Sequence, residues 1–232
     1  MLKTIIFDID GVITDLSFFH FLAWKSVLSF YNVNLQKEEW ANYNGRQRLT
    51  ILKMILKNHN ITFDEKTLTK ISNQKNDLFV HLIKHNLTPK NIINGVRQLI
   101  DDAITRGLKL VAVSSSANAV LEMKCLGLFD KFTYVSDYQS KRLSSLSQTE
   151  KKVVSPLLFS LKTLGIESSE CIGLEDHVDG VLEYKSAGIF SVAIANYQED
   201  IKKEADFWAE LPEQIVLEEI IFSYYKRDTQ YD

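Results

Sequence analysis

Apolar positions follow two rhythms along this chain. Continuous apolar runs at residues 3–8, 108–114, 132–135, 171–174 and 190–194 read as buried strands. Stretches of helical period lie between the later runs, at about 95–106, 117–126, 154–164 and 178–187. Gly107, Gly127, Gly165 and Gly188 fall where those stretches end, a position that favours glycine. Strands alternating with crossover helices predict an α/β fold with a Rossmann-like parallel sheet core.

Residues 16–88 break the alternation. No strand-like run occurs there, and Phe18, Phe21, Leu22, Val27 and Leu28 recur at helical spacing, as do Ile51, Ile55 and Leu56, then Leu78, Leu82 and Ile83. Thr88-Pro89 marks a loop. The pattern predicts an inserted α-helical cap domain at residues 16–88, leaving a catalytic core of residues 1–15 and 89–223 and a C-terminal tail, 224–232, with no readable role. The insertion follows the first strand directly, which places it over that strand's tip.

Composition narrows the function. The chain has 232 residues, 45% hydrophobic and 25% charged, with a formal net charge of −3. That balance is ordinary for a soluble globular protein and gives no electrostatic case for nucleic acid or an anionic membrane surface. No apolar run approaches the ~20 residues of a membrane span, and an acid pair within the first ten residues is unlike a secretory leader. Cys125 and Cys171 lack metal-type spacing and read as free thiols in a reducing compartment. A cytoplasmic monomer acting on a small molecule is the expectation.

The candidate chemistry sits at strand tips. The first run ends in Asp8-Ile9-Asp10-Gly11, and side chains two apart on a strand share a face. Two carboxylates that close repel each other, and Mg²⁺ is the natural counterion. The second run leads into Ser114-Ser115-Ser116, whose hydroxyls and loop amides suit a phosphate; a helix N-cap accounts for one of the three. Glu175-Asp176 follow another strand-like run, where they complete an oxygen-rich metal site or cap the next helix. Lys151-Lys152 precede a helical stretch, as a solvated pair or as charge balance for phosphate. A carboxylate approaching phosphate at ~4 Å is opposed by about 4 kcal/mol per unit pair at an effective dielectric near 20, so a metal and a lysine are what nucleophilic attack by Asp8 requires.

The order Asp8-x-Asp10-Gly11-Val12, then Ser114, then a lysine, then Glu175-Asp176 resembles the four motifs of the haloacid dehalogenase superfamily. Within it, the β-phosphoglucomutase family is similar in further stretches: Asp10-Gly11-Val12-Ile13-Thr14-Asp15, His20-Phe21-x-Ala23-Trp24-Lys25, Gly45-x-x-Arg48, Lys75-Asn76-Asp77, Ser114-x-Ser116-x-Asn118 and Ile172-Gly173-Leu174-Glu175-Asp176. The resemblance covers nearly the whole chain. It implies Asp8 as nucleophile, Asp10 as general acid/base, and Mg²⁺ held by Asp8, the Asp10 backbone carbonyl, Glu175 and Asp176. Ser114 and the motif lysine would balance charge on the transferring phosphate. Arg48, Ser116 and Asn118, beside Ser115, would take the second phosphate, with His20, Trp24, Gly45 and Lys75 shaping the sugar pocket. For three of these a plainer role stands alongside: His20 as a satisfied core histidine, Trp24 as cap core, Arg48 as a solvated surface cation.

Three departures bear on activity. Ala117 stands where the family pattern has a lysine, and losing one charged hydrogen bond costs about 1.5–3 kcal/mol, roughly tenfold to more than a hundredfold in affinity. The motif lysine has unusual surroundings: counting back from Leu164-Gly165-Ile166 gives Lys151, with Lys152 and Lys141 as rivals around a serine-rich insertion at 140–149. Leu16 replaces the hydroxyl residue common at the family's hinge, and His177-Val178-Asp179 after the metal acids has no ready reading. The resemblance implies a Mg²⁺-dependent mutase interconverting β-glucose 1-phosphate and glucose 6-phosphate through an aspartyl-phosphate and a bisphosphate. A sugar-phosphate phosphatase is the alternative, and a weakened sugar-phosphate-binding protein a further one.

Overall fold

The computed structural model describes residues 1–43, 47–136 and 155–228. Its contacts divide the chain into two compact units, Leu16–Leu87 and the remainder, Met1–Asp15 with Thr88–Asp232.

The first unit is helical: α1 (Ser17–Ser29), α2 (Lys37–Trp40), α3 (Arg48–Asn58) and α4 (Glu65–Asn86). Loops interrupt what the sequence read as one helical stretch. Trp24, Leu28, Tyr43, Leu52, Ile55 and Ile71 form the fully buried centre of its core. Asp64 caps α4 by accepting the Thr67 N–H at 2.7 Å, which satisfies one of the amides left free at a helix start. Tyr43, though wholly buried, satisfies its hydroxyl: it donates to Glu39 Oε1 at 2.7 Å and accepts from Asn58 Nδ2 at 2.5 Å. Glu39 also meets His59 Nε2 at 3.1 Å, so α2 is tied to the end of α3.

The second unit is a six-stranded sheet: β1 (Thr4–Asp8), β2 (Lys109–Val113), β3 (Tyr134–Ser136), β4 (Cys171–Glu175), β5 (Phe190–Ile194) and β6 (Phe207–Ala209). The order is β3-β2-β1-β4-β5-β6, with every neighbouring pair parallel. Ile5, Ile6 and Phe7 are all buried, as a strand covered on both faces requires. The crossover and flanking helices are α5 (Val96–Thr105), α6 (Ala119–Cys125), α7 (Pro156–Leu164), α8 (Val178–Ser186), α9 (Glu199–Glu204) and α10 (Leu217–Asp228). The α/β architecture expected from the sequence is therefore present, and the four helix-terminal glycines all take positive φ.

Two expectations are corrected. The sequence offered no strand after residue 194, yet β6 adds a three-residue edge; it is too short for a periodic signal, and Trp208 is exposed. The tail boundary at 224 falls inside α10. Tyr224 is buried, packs edge-on against Phe190 with ring centres 5.9 Å apart, and donates its hydroxyl to the Ser169 carbonyl. Leu217, Ile220 and Tyr224, spaced three and four apart, make one buried stripe that holds the helix down. Cys171 is a buried free thiol, pushed up to about 12 by burial, and Cys125 is also free. Among the described residues no helix is long and apolar enough to cross a membrane.

Candidate active site

Three adjacent strands end level with one another. Asp8 of β1 sits opposite Val113 of β2, and Phe7 opposite Leu174 of β4. One further residue along the second register sets Glu175 level with Asp8, and Ser114 follows Val113 one residue beyond that level, so the three lie at the C-terminal ends of adjacent strands. Here the sheet changes direction, with β2 and β3 on one side of β1 and β4, β5 and β6 on the other. In open parallel sheets this switch point is where a ligand crevice forms.

The loop after β1 turns tightly. The Ile13 and Thr14 amides both donate to the Ile9 carbonyl at 3.0 Å, and the Gly11 amide to the Thr14 carbonyl at 2.7 Å. Ile9 is wholly buried while Asp8 and Asp10 on either side keep some exposure. Gly11 has φ of 101°, and a Cβ there would overlap the Asp176 carboxylate. Conformation and space both demand glycine at that position.

Burial pushes the Asp8 carboxyl well above the usual range, and the charges of Glu175, Asp176 and Asp10 push it further. Glu175 is raised to about 8, first by burial and then by Asp176. Its Oε1 accepts the Asp176 and His177 amides at 3.0 and 3.1 Å. Gly180, in the first turn of α8, leaves room for Glu175: a Cβ there would overlap Oε2. The capping alternative for the acid pair is corrected, because His177 holds the N-cap position and its side chain makes no cap bond.

His177 is the residue that sequence reasoning left without a role. Its Nδ1 lies 2.7 Å from Asp176 Oδ1, a contact that raises it to about 9. Among the described residues Glu175, Asp176 and His177 form a group whose potential ligand atoms lie within 4.8 Å of one another. Three carboxylates repelling a buried fourth, with oxygen donors dominant, fit a hard divalent cation.

The serine loop is braced from within. Ser114 Oγ accepts the Ser116 amide at 3.1 Å, which uses a lone pair and not the hydroxyl hydrogen. Ser116 Oγ accepts the Asn118 amide at 3.1 Å and donates its hydrogen to Glu122 Oε1 at 2.8 Å. Ser115 is exposed. The helix begins only at Ala119, and Asn118, its N-cap residue, makes no side-chain cap bond. The three serines thus lie in a turned loop ahead of the helix and not in its first turn. Glu122, wholly buried in α6, went unread because one acid in an apolar helix carries no periodic signal.

The remaining expected residues lie in the helical unit. Lys75 is buried, with Nζ 2.6 Å from His20 Nδ1 and poised 4.6 Å over the Phe79 ring. His20 stacks on Phe79 at 4.1 Å between ring centres. Burial lowers the His20 pKa well below the ordinary value, helped by the Lys75 and Arg48 charges, so the imidazole is neutral and accepts from the ammonium. Arg48 opens α3, half-buried, its pKa lowered by burial against the opposing pull of Asp77. Trp24 is corrected: it is fully buried in the helical core and floors Lys75 at 5.6 Å, so it offers no face to a sugar. Gly45, Lys141, Lys151, Lys152 and the 140–149 insertion lie outside the described residues.

Residues 2–188 match the family described as haloacid dehalogenase-like hydrolase. The chain belongs to the haloacid dehalogenase-like hydrolases. Members of this superfamily generally use Mg²⁺, in keeping with the oxygen-rich donor set at the strand tips. Among hydrolases of this kind, the chain is 27% identical over 199 residues to a β-phosphoglucomutase of Bacillus subtilis (strain 168), covering 85% of each chain. It is 23% identical over 193 residues to a fructose-1-phosphate phosphatase of Escherichia coli (strain K12), covering 82% of this chain and 95% of that one. The crystal structure of a β-phosphoglucomutase from Clostridium difficile is similar with a TM-score of 0.83 and 28% identity, covering 99% of this chain and all of that one.

Proposed function

We propose that the protein is a phosphosugar mutase interconverting β-glucose 1-phosphate and glucose 6-phosphate. The observation that carries the phosphoryl-transfer part is the gathering of Asp8, the level Glu175 and, one residue beyond Val113, Ser114 at the ends of adjacent strands at the switch point of the sheet. With β-glucose 1,6-bisphosphate bound, Asp8 attacks the phosphorus on O1; the bond from that phosphorus to O1 breaks, O1 takes a proton from Asp10, and glucose 6-phosphate leaves the phosphorylated enzyme. β-Glucose 1-phosphate then binds, Asp10 withdraws the proton from its 6-hydroxyl, and O6 attacks the aspartyl-phosphate, which frees Asp8. That transfer regenerates β-glucose 1,6-bisphosphate, the intermediate between the two turns. The Ser114 hydroxyl donates to the transferring phosphate, and a lysine from the 141–152 stretch, Lys151 by the sequence count, balances its charge. Mg²⁺, held by Asp8, the Asp10 carbonyl, Glu175 and Asp176, would neutralise the carboxylate repulsion and the phosphate charge.

Mutase over phosphatase is favoured by the β-phosphoglucomutase relatives that align along most of the chain and by the cationic set in the helical unit. Arg48 and Lys75, with His20, would recognise the substrate's non-transferring end; guanidinium suits phosphate because it binds bidentately. A phosphatase remains the second reading on one observation: Ala117 brings no charge to the 114–118 loop, and the Ser116 hydrogen is committed to Glu122.

One assay separates these readings. The protein is incubated with Mg²⁺, β-glucose 1-phosphate and a catalytic amount of the bisphosphate, and glucose 6-phosphate and inorganic phosphate are followed together. Glucose 6-phosphate without matching phosphate release is expected. Phosphate release without isomerisation would establish the phosphatase. Neither product across a panel of sugar phosphates would leave a binding protein.

A further inference from the structure

Helix α4 carries two imidazoles one turn apart on its outer side. His81 and His85 are both exposed, with ring centres 4.5 Å apart and ring planes at 56°. The packed side of α4 runs through Ser72, Lys75, Phe79 and Ile83, and His81 falls midway between the last two, turned away from them. Core packing therefore does not account for either ring. Among the described residues neither ring has a hydrogen-bond or ion-pair partner, so both retain ring nitrogens for a ligand.

The spacing of the rings is the informative quantity. With metal–nitrogen bonds of about 2.0–2.1 Å, two imidazoles in adjacent positions on one ion place their ring centres about 4.6 Å apart at roughly 90° and about 5.3 Å apart at the tetrahedral angle. The rings of His81 and His85 already stand at the first of these separations. The location adds to the case: His85 is in the last turn of α4, whose exposed carbonyl end carries partial negative charge that favours a cation. Asp77, exposed one turn before His81, adds a negative charge to the same row, while Lys84 is the opposing charge nearby.

We propose that His81 and His85 form a chelating site for a divalent transition-metal ion, with water completing the coordination. Imidazole nitrogen selects Cu²⁺, Ni²⁺ and Zn²⁺ over Mg²⁺, with Cu²⁺ held most tightly. The site is separate in chemistry from the carboxylate cluster at the strand tips. A bound ion bridges residues four apart and so fastens the last two turns of α4, next to Leu87 where the helical unit ends.

The test uses the full-length, chelator-treated, untagged protein and Cu²⁺ alone. Electron paramagnetic resonance should show two equatorial nitrogens on the bound ion, and excess Mg²⁺ should not displace it. His81→Gln and His85→Gln should each abolish this signal, while His177→Gln, at the carboxylate cluster, should leave it. The untagged wild type should also be retained on an immobilised Ni²⁺ column and the double variant should pass through. Cu²⁺ should raise the Tm of the wild type and not that of the double variant. A wild-type signal with fewer than two nitrogens overturns the proposal without reference to any variant. So does unchanged Cu²⁺ stoichiometry in the double variant, or complete loss of binding in His177→Gln.

Discussion

At the tips of the central strands, Asp8, Asp10, Glu175 and Asp176 gather four carboxylates, and the strain registers as raised proton affinity at Asp8 and Glu175. In the helical unit Lys75, Arg48 and His20 gather three potential cations, and one of them responds by staying neutral. The acidic cluster has one cation of its own, His177 against Asp176, and its four carboxylates still outnumber it. The basic cluster is settled internally: burial, with the neighbouring charges second, keeps His20 neutral, and the faces of Trp24 and Phe79 support the Lys75 ammonium. Of the two, the acidic cluster is the one left with unbalanced charge.

Breaking the acidic side should have the largest effect. Asp8→Asn should lower kcat by at least about a thousandfold, yet raise the stability of the metal-free protein by about 0.5–2 kcal/mol, measured by urea unfolding in chelator. A destabilised Asp8→Asn would contradict the repulsion account. Gly180→Ala comes next: the added methyl displaces the Glu175 carboxylate, and Mg²⁺ dependence should shift to about tenfold or more higher concentration, read by activity against Mg²⁺.

Acidification should act on the two clusters with opposite sign. Glu175, with its native pKa raised to about 8, contributes stability that is present below its unfolded value and lost as pH rises through 8. His20, with its native pKa depressed, contributes stability that is present above its unfolded value of about 6.5 and lost as pH falls through the native value. In metal-free protein, Glu175→Gln should flatten the alkaline limb of the stability profile and His20→Asn the acidic limb. Mg²⁺ should remove only the alkaline one. If both variants alter the same limb, the contrast between the clusters fails.

Lys75→Met sharpens the basic side. The His20 pKa, followed by NMR titration, should climb toward its ordinary value, and KM should rise about tenfold, the equivalent of one charged hydrogen bond. The smallest effect belongs to a site outside both clusters. Tyr224→Phe removes the hydroxyl bond to Ser169 and should cost about 0.5–1.5 kcal/mol with no change in kcat.

The acidic cluster was legible in the sequence because each member ends an apolar run, and parallel strand register is enough to bring run ends together. The basic cluster was legible only as residue types. His20 and Lys75 are 55 positions apart, and nothing local states that one will hold the other's charge down. Trp24 shows the same limit from the other side: its helical spacing suited core and pocket equally, and only packing against Leu28 and Tyr43 decides for core. The hydroxyl of Ser116 reads as a phosphate donor until the buried Glu122 is seen to take its hydrogen. Element ends moved by a residue or two, while β6 and the far part of α10 depended on long-range contacts with no periodic signature of their own.

The two ends of the helical insertion are stapled to each other inside the sheet unit. Thr14 bridges Ile92, its hydroxyl donates to the Asn91 carbonyl at 2.9 Å, and the Ile93 amide reaches the Ile13 carbonyl at 2.9 Å. Strand β1 must find β2 about a hundred residues downstream, with Thr4 opposite Lys109, and an unstructured loop of that length makes such pairing slow. A helical insertion whose two ends meet returns the chain to its point of departure and shortens that search to the few residues of the staple. Cutting the insertion out and rejoining Asp15 to Thr88 through a short glycine linker should accordingly leave a sheet that still assembles, and assembles faster.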